Sequence, residues 1–240
     1  MIRRTLVAIA LFALTPLSYA QEFATHQDYK TGPLEAFGLV IADFNGDGKP
    51  DVATANLQDF SGGNVSILLG NGDGTLQPHR NFSLGIIAPY WMTGGDFNQD
   101  GNVDLAFANP SLIGRVGVML GNGHGGFSPI KTYTAGPGSI FVTTADLNGD
   151  GHQDLIVANI GANNVAGHTV CVLLGKGDGT FQAQSTYNTG NAPHSVAVAD
   201  LNGDGVPDLA VANQGDNTFK FCWVTVMEHF SPWSPTRQAG

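Results

Sequence analysis

Charge is scarce in this chain: Asp, Glu, Lys and Arg make up 12% of its 240 residues, about half the usual share. Helical bundles and coiled coils depend on charged outer faces, so composition disfavours them. Basic residues are scarcest, ten against twenty acidic ones, for a formal charge of -10. That balance argues against a nucleic-acid partner or an anionic membrane surface, both of which attract the opposite sign. Two cysteines cannot make a disulfide scaffold. Beyond residue 20 no apolar run approaches the roughly 20 residues that cross a bilayer, so no membrane insertion of the mature chain is expected. Catalytic signatures are also missing: there is no nucleophile elbow with a Ser-His-Asp order, no His-Glu-x-x-His, no Cys-x-x-Cys and no phosphate loop. The seven histidines fall at unrelated positions and make no metal-ligand set. The chain is therefore not expected to be an enzyme.

Glycine is abundant instead, with 33 residues, and hydrophobic residues reach 42%, enough for a core. Short strands joined by glycine-rich turns are the class that remains. The first twenty residues form a separate unit. Arg3 and Arg4 precede an apolar run from Leu6 to Leu14, and Ser18 and Ala20 stand three and one positions before Gln21. This is the layout of a secretory signal peptide, residues 1–20, with cleavage near Ala20/Gln21. The mature protein is then secreted, periplasmic or held at the cell surface. Losing Arg3 and Arg4 takes the formal charge from -10 to -12.

The remainder repeats. One loop occurs four times: Asp43-Phe-Asn45-Gly-Asp47-Gly-Lys49-Pro-Asp51, Asp96-Phe-Asn98-Gln-Asp100-Gly-Asn102-Val-Asp104, Asp146-Leu-Asn148-Gly-Asp150-Gly-His152-Gln-Asp154 and Asp200-Leu-Asn202-Gly-Asp204-Gly-Val206-Pro-Asp208. Their starts are 53, 50 and 54 residues apart. A second signature keeps the same register at Asn71 to Gly74, Asn122 to Gly125 and Lys176 to Gly179. Apolar runs such as Ser195 to Ala199, Asp208 to Ala212 and Val170 to Leu174 lie between them, each of strand length and bounded by turn formers. One repeat reads strand, acidic loop, strand, turn, strand, glycine hairpin, strand. Four strands in about 50 residues is the arithmetic of a β-propeller blade.

Each acidic loop carries Asp, Asn, Asp and Asp at positions 1, 3, 5 and 9. Calcium takes six to eight oxygen ligands from a tightly curled loop. The side chains at these four positions can supply them, joined by the position-7 carbonyls of Lys49, Asn102, His152 and Val206. Three carboxylates in nine residues repel by about 1 kcal/mol per pair even in water, so without a cation the arrangement only costs stability. Ordinary Asx-turns are the alternative for one such loop; four copies in register favour Ca2+. An EF-hand is excluded, because position 12 lacks the bidentate Glu and no amphipathic helices flank the loop. Twelve of the twenty acids sit in these loops, so four bound ions would bring the mature charge from -12 to -4. The glycine hairpins read as tight turns rather than ligand sets, because His124 stands where Asp73 and Asp178 do. Phe37-Gly38, Tyr90-Trp91, Ile140-Phe141 and His194-Ser195 stand just before the innermost strands. These aromatics either pack the rim or stack on a ligand, with Tyr90 and Trp91 the leading candidates for the latter.

The loop Asp-x-Asn-x-Asp-Gly-x-x-Asp, followed by Leu-x-Val-Ala-Asn and Val-x-Leu-Leu-Gly, resembles the FG-GAP/VCBS repeat. Phe37-Gly38 and Asn191-Ala-Pro193 echo its other elements. The resemblance covers approximately residues 24 to 217 and implies an integrin-α-like, calcium-binding propeller, usually of seven blades. It assigns the ligands to Asp43, Asn45, Asp47, Asp51 and their counterparts. The chain holds only about 3.5 intact repeats, so an incomplete, all-β propeller over residues 21–217 is expected. Residues 218–240 leave the repeat pattern. A shifted reading frame restores it: the nucleotides shared by Phe221/Cys222 and Cys222/Trp223 must encode Leu, and those shared by Trp223/Val224 and Met227/Glu228 must encode Gly. A single-nucleotide deletion near the Thr218 codon, in the gene or its sequencing, gives that result; a divergent capping end is the alternative. On the first reading Cys222, Trp223 and Trp233 carry no function, and no Cys171–Cys222 disulfide is expected. The function expected is a secreted calcium-binding module for adhesion or for recognition of an extracellular protein or glycan. The alternatives are an accessory propeller of an extracellular polysaccharide-acting enzyme and a calcium-stabilised lectin.

Overall fold

The protein is described by a computed structural model covering residues 27–32, 34–59, 62–85, 87–162 and 165–222. The expected signal peptide and the tail beyond residue 222 lie outside these residues. Every sheet is antiparallel. Blade 1 is β1 (Glu35–Ala42), β2 (Asp51–Asp59), β3 (Gly62–Leu68) and β4 (Arg80–Ser83), hydrogen-bonded in that order. Blade 2 is β5 (Trp91–Gly95), β6 (Asp104–Asn109), β7 (Arg115–Met119) and β8 (Lys131–Thr134). Blade 3 is β9 (Ser139–Ala145), β10 (Asp154–Ala162), β11 (Val165–Leu173) and β12 (Ser185–Asn188). Blade 4 has three strands among the described residues, β13 (Pro193–Ala199), β14 (Asp208–Asn213) and β15 (Thr218–Cys222).

The second strands explain why the blades stack. In β6, Leu105, Ala106, Phe107 and Ala108 are all fully buried, which requires cover on both faces of the sheet. Leu105 and Phe107 join Ala53, Ala55, Val65 and Ile67 of blade 1 in one apolar cluster. Ala106 and Ala108, pointing the other way, join Leu155, Val157 and Cys171 of blade 3. A third cluster repeats the pattern, with Ile156 and Ala158 against Val196, Leu209 and Val211. Full burial of one Leu or Phe contributes about 1.5–3 kcal/mol, so each junction rests on several such contributions. The inner strands follow chain order, β1 on β5, β5 on β9 and β9 on β13, and β1 is not packed on β13. The arc is an incomplete propeller.

Strand direction sorts the connections. β1 runs into the acidic loop, β2 returns, and β3 runs forward into the glycine hairpin. Acidic loops and hairpins therefore share one end of the arc, and the inner strands start from the other. β15 continues the register of β11: Lys220 pairs with Val211 as Cys171 pairs with Val157. The stretch expected to leave the repeat pattern thus starts as the third strand of a blade. Cys171 is a buried free thiol.

Candidate functional site

In each acidic loop the backbone wraps around the first Asp. The Asp43 carboxylate accepts the N–H groups of Asn45 (3.2 Å), Gly46 (2.7 Å), Asp47 (3.2 Å) and Gly48 (2.7 Å). Asn45 Oδ1 accepts the Asp47 N–H at 3.0 Å, and Asp47 Oδ1 accepts the Lys49 N–H at 2.9 Å. Positions 1, 3 and 5 are thereby turned into one curl. Asp96, Asn98 and Asp100 keep this curl as far as the Asn102 N–H, with Asp96 accepting from Asp100 and Gly101. Asp146, Asn148 and Asp150 do so as far as His152, and Asp200, Asn202 and Asp204 as far as Val206. The N–H of Gly48 in particular holds the Asp43 carboxyl below its ordinary pKa, and that of Gly205 does the same for Asp200.

Position 9 has a different role. Asp51 is fully buried; its Oδ2 accepts the Phe44 N–H at 2.9 Å and its Oδ1 the Gly70 N–H at 2.7 Å. Asp104 bridges Phe97 and Gly121, and Asp154 bridges Leu147 and Gly175. Asp208 accepts from Leu201. Asp51, Asp104 and Asp154 are each a clasp between their loop and the start of the hairpin in the same blade. Burial pushes Asp104 and Asp154 up to about 6.

The acidic loops are also joints. Gly125, in the hairpin of blade 2, donates its N–H to the Phe44 carbonyl of the blade 1 loop at 2.8 Å, and Gly179 of blade 3 donates to Phe97 of blade 2 at 2.9 Å. Gln99 adds a side-chain bond to Gly151 O in the next loop at 3.1 Å. Sequence reading missed this docking, although the shared period of the two motifs signalled a fixed spatial relation. The hairpins themselves are turns, as expected: Asn71 N–H bonds Thr75 O, and Asp73 Oδ1 accepts from both the N–H and the hydroxyl of Thr75.

At the opposite end the aromatics pair across blades. Phe37 stacks on Tyr90 with ring centroids 4.7 Å apart and planes at 33°, and Trp91 stacks on Phe141 at 5.2 Å and 31°. Phe37 and Trp91 nonetheless remain 39% and 42% exposed. They pack the rim, one of the two alternatives open at the sequence level, while presenting ring surface outward. Ile140 is buried and takes no part in that surface.

The family model for the FG-GAP-like repeat matches residues 43–107, 96–157 and 146–211. The chain belongs to the FG-GAP-like repeat family. No curated protein matches it. Among solved structures it is similar to the biofilm matrix protein Bap1 of V. cholerae, at 18% identity and a TM-score of 0.39, over 79% of this chain. The chain spans 38% of the length of that structure.

In this FG-GAP-like arc the predicted ligands divide into two groups. Positions 1, 3 and 5 lie together in the exposed curl, while position 9 faces the blade interior. Among the described residues, no three His, Cys, Asp or Glu side chains stand grouped to hold a metal ion. The donor chemistry of the FG-GAP loops nevertheless fits a hard divalent cation. Asp43, Asn45 and Asp47 present oxygen donors from one short curl, and the two oxygens of Asp51, each holding one N–H, retain further lone pairs.

Proposed function

We propose that this FG-GAP-like arc is an extracellular, non-catalytic recognition module. Calcium stiffens its acidic loops, and the aromatic end binds a glycan or protein ligand. The observation that carries the ligand reading is the pair of stacks Phe37–Tyr90 and Trp91–Phe141, each straddling two blades while keeping ring surface exposed. An aromatic pair contributes about 0.5–1.5 kcal/mol beyond its burial, so the pairing holds the rings at fixed angles before any ligand arrives. Pre-oriented flat apolar rings suit the apolar face of a sugar ring, and low charge leaves that contact undisturbed. Export through the leader expected at residues 1–20 puts the module where calcium is plentiful.

Asp43, Asn45, Asp47 and Asp51 would hold one ion, with the position-7 carbonyl of Lys49, and the other three loops would act alike through their corresponding residues. Bound calcium supplies charge neutralisation and cross-linking of the curl. The Asp43 carboxylate orders the loop backbone, and Asp51 ties that loop to its hairpin. The test is binding to a panel of immobilised polysaccharides, read by surface plasmon resonance. Trp91→Ala is expected to weaken a positive response at least tenfold, with the far-UV circular dichroism spectrum unchanged. A glycan response that Trp91→Ala and Phe37→Ala leave intact would sink the aromatic-end reading.

A further inference from the structure

The four acidic loops agree at positions 1, 3, 5 and 9 and differ at position 7, where Lys49, Asn102, His152 and Val206 stand. Lys49 is the one Lys or Arg in the four nine-residue loops. The loop of blade 1 therefore sets one ammonium against its three carboxylates, a formal charge of -2, whereas each of the other loops carries -3.

The position-7 side chain has a fixed station. A Cβ added at Gly72, in the hairpin of blade 1, would lie 3.0 Å from Lys49 Cδ and 3.2 Å from Lys49 Cε. The same added atom at Gly123 would meet Asn102 Oδ1, and at Gly177 it would meet the His152 imidazole. In blades 1, 2 and 3 the side chain thus lies across the corresponding hairpin glycine, and only its chemistry changes from blade to blade. Lys49 runs its stem over Gly72, and its ammonium ends 3.6 Å from Asp47 Oδ2. On the hairpin side, the hydroxyl and N–H of Thr75 hold the Asp73 carboxyl below its ordinary pKa, and the Lys49 charge adds to them. At the position of Asp47, Asp100 and Asp150 accept the neutral side-chain amides of Asn98 and Asn148, each at 2.9 Å.

We propose that Lys49 is a tethered counter-ion that lowers the calcium affinity of the blade 1 loop below that of its sister loops. The inference rests on the calcium reading of those loops given above. Asp47 is one of the oxygen donors on which that reading depends, and in this loop it already has a cation beside it. Calcium entering here meets a like charge and competes with it for Asp47; calcium entering the blade 2 loop meets the uncharged Asn102 amide at the same station. Repulsion of this kind between solvated charges a few ångströms apart corresponds to roughly tenfold in affinity. The Lys49 and Asp47 side chains are 44% and 35% exposed, and exposed pairs hold weakly, so calcium displaces the ammonium rather than being shut out. Without calcium the same ammonium offsets part of the repulsion among Asp43, Asp47 and Asp51. The joint between blades 1 and 2, where Gly125 N–H docks on Phe44 O of this loop, is then less dependent on calcium than the joint between blades 2 and 3.

The test is equilibrium dialysis of the purified full chain against radiolabelled calcium, with two variants. Lys49→Met keeps an apolar stem over Gly72 and removes the charge; Asn102→Lys brings the charge to the same station in blade 2. Lys49→Met is expected to tighten one equivalent of calcium about tenfold, and Asn102→Lys to weaken one equivalent about tenfold. In EDTA, Lys49→Met is expected to lower the melting temperature. Tighter calcium binding together with a lower melting point in EDTA is a combination that lost packing alone does not produce. If either variant binds calcium as the parent does, the proposal falls while calcium stays in the loops. Calcium retained by neither the parent nor the variants overturns the calcium reading itself, and the proposal with it.

Discussion

The carboxylate of Asp104 takes the N–H of Phe97 on one oxygen and that of Gly121 on the other, without solvent contact. Removing it strands two buried donors, each costing about 1–3 kcal/mol. Asp104→Ala is therefore expected to lower stability in urea unfolding by about 3 kcal/mol. Asp104→Asn keeps one acceptor oxygen and is expected to cost less. The same burial gives a pH signature in chelator. Asp104 and Asp154 have folded pKa values of about 6 against an ordinary 3.8, so the folded state takes up protons first. Stability then rises as pH falls through about 6 towards 3.8. Below that the lowered carboxyls Asp43, Asp100 and Asp200 lose their backbone bonds, and stability falls again. Melting temperature against pH in EDTA should peak between these limits, and Asp104→Asn with Asp154→Asn should flatten the rise on the neutral side.

At the scale of elements, the hairpin of one blade is a plug for the loop of the previous one. Gly179 has φ of +75°, and a Cβ there would lie 2.7 Å from Leu120 Cδ1. Gly74 has φ of +88° with nothing within 4 Å of the same added atom. Both alanine variants carry the positive-φ strain of about 1 kcal/mol, and only Gly179→Ala adds overpacking of about 1–3 kcal/mol. Thermal unfolding should therefore separate the two, with Gly179→Ala the less stable. Equal losses would show that the hairpins do not hold the blades together.

For the whole molecule, the joints would make the proposed calcium a property of the array rather than of single loops. A cation bound in one curl steadies the carbonyl on which the next blade docks, so occupancy couples neighbouring blades. A ligand at a hundred times its Kd adds about 2.7 kcal/mol per site. Calorimetry should show calcium raising the melting temperature and sharpening the transition, with both effects reduced in Asp43→Ala plus Asp146→Ala. A transition indifferent to calcium would leave the four loops as turns alone.

The blade was legible from sequence because its signals are local. Asp-Asn-Asp at alternate positions curls a loop, Gly-rich tetrapeptides turn a hairpin, and Leu-Ala-Val-Ala runs make strands buried on both faces. The period of about 50 residues stated how many strands each unit contains. Which partners those residues take was not legible. Position 9 shares its residue type with positions 1 and 5, yet Asp51 turns inward because Phe44 and Gly70 present N–H groups there that need an acceptor. Phe37 and Tyr90 stand 53 positions apart in the chain and meet only because consecutive blades stack. Tyr29 is an unremarkable residue in sequence, and its hydroxyl meets the Leu76 N–H of the blade 1 hairpin only in the folded chain. Local pattern determined the repeat, and packing between repeats decided the clasps, the joints and the exposed aromatic end, because those contacts join residues a whole period apart.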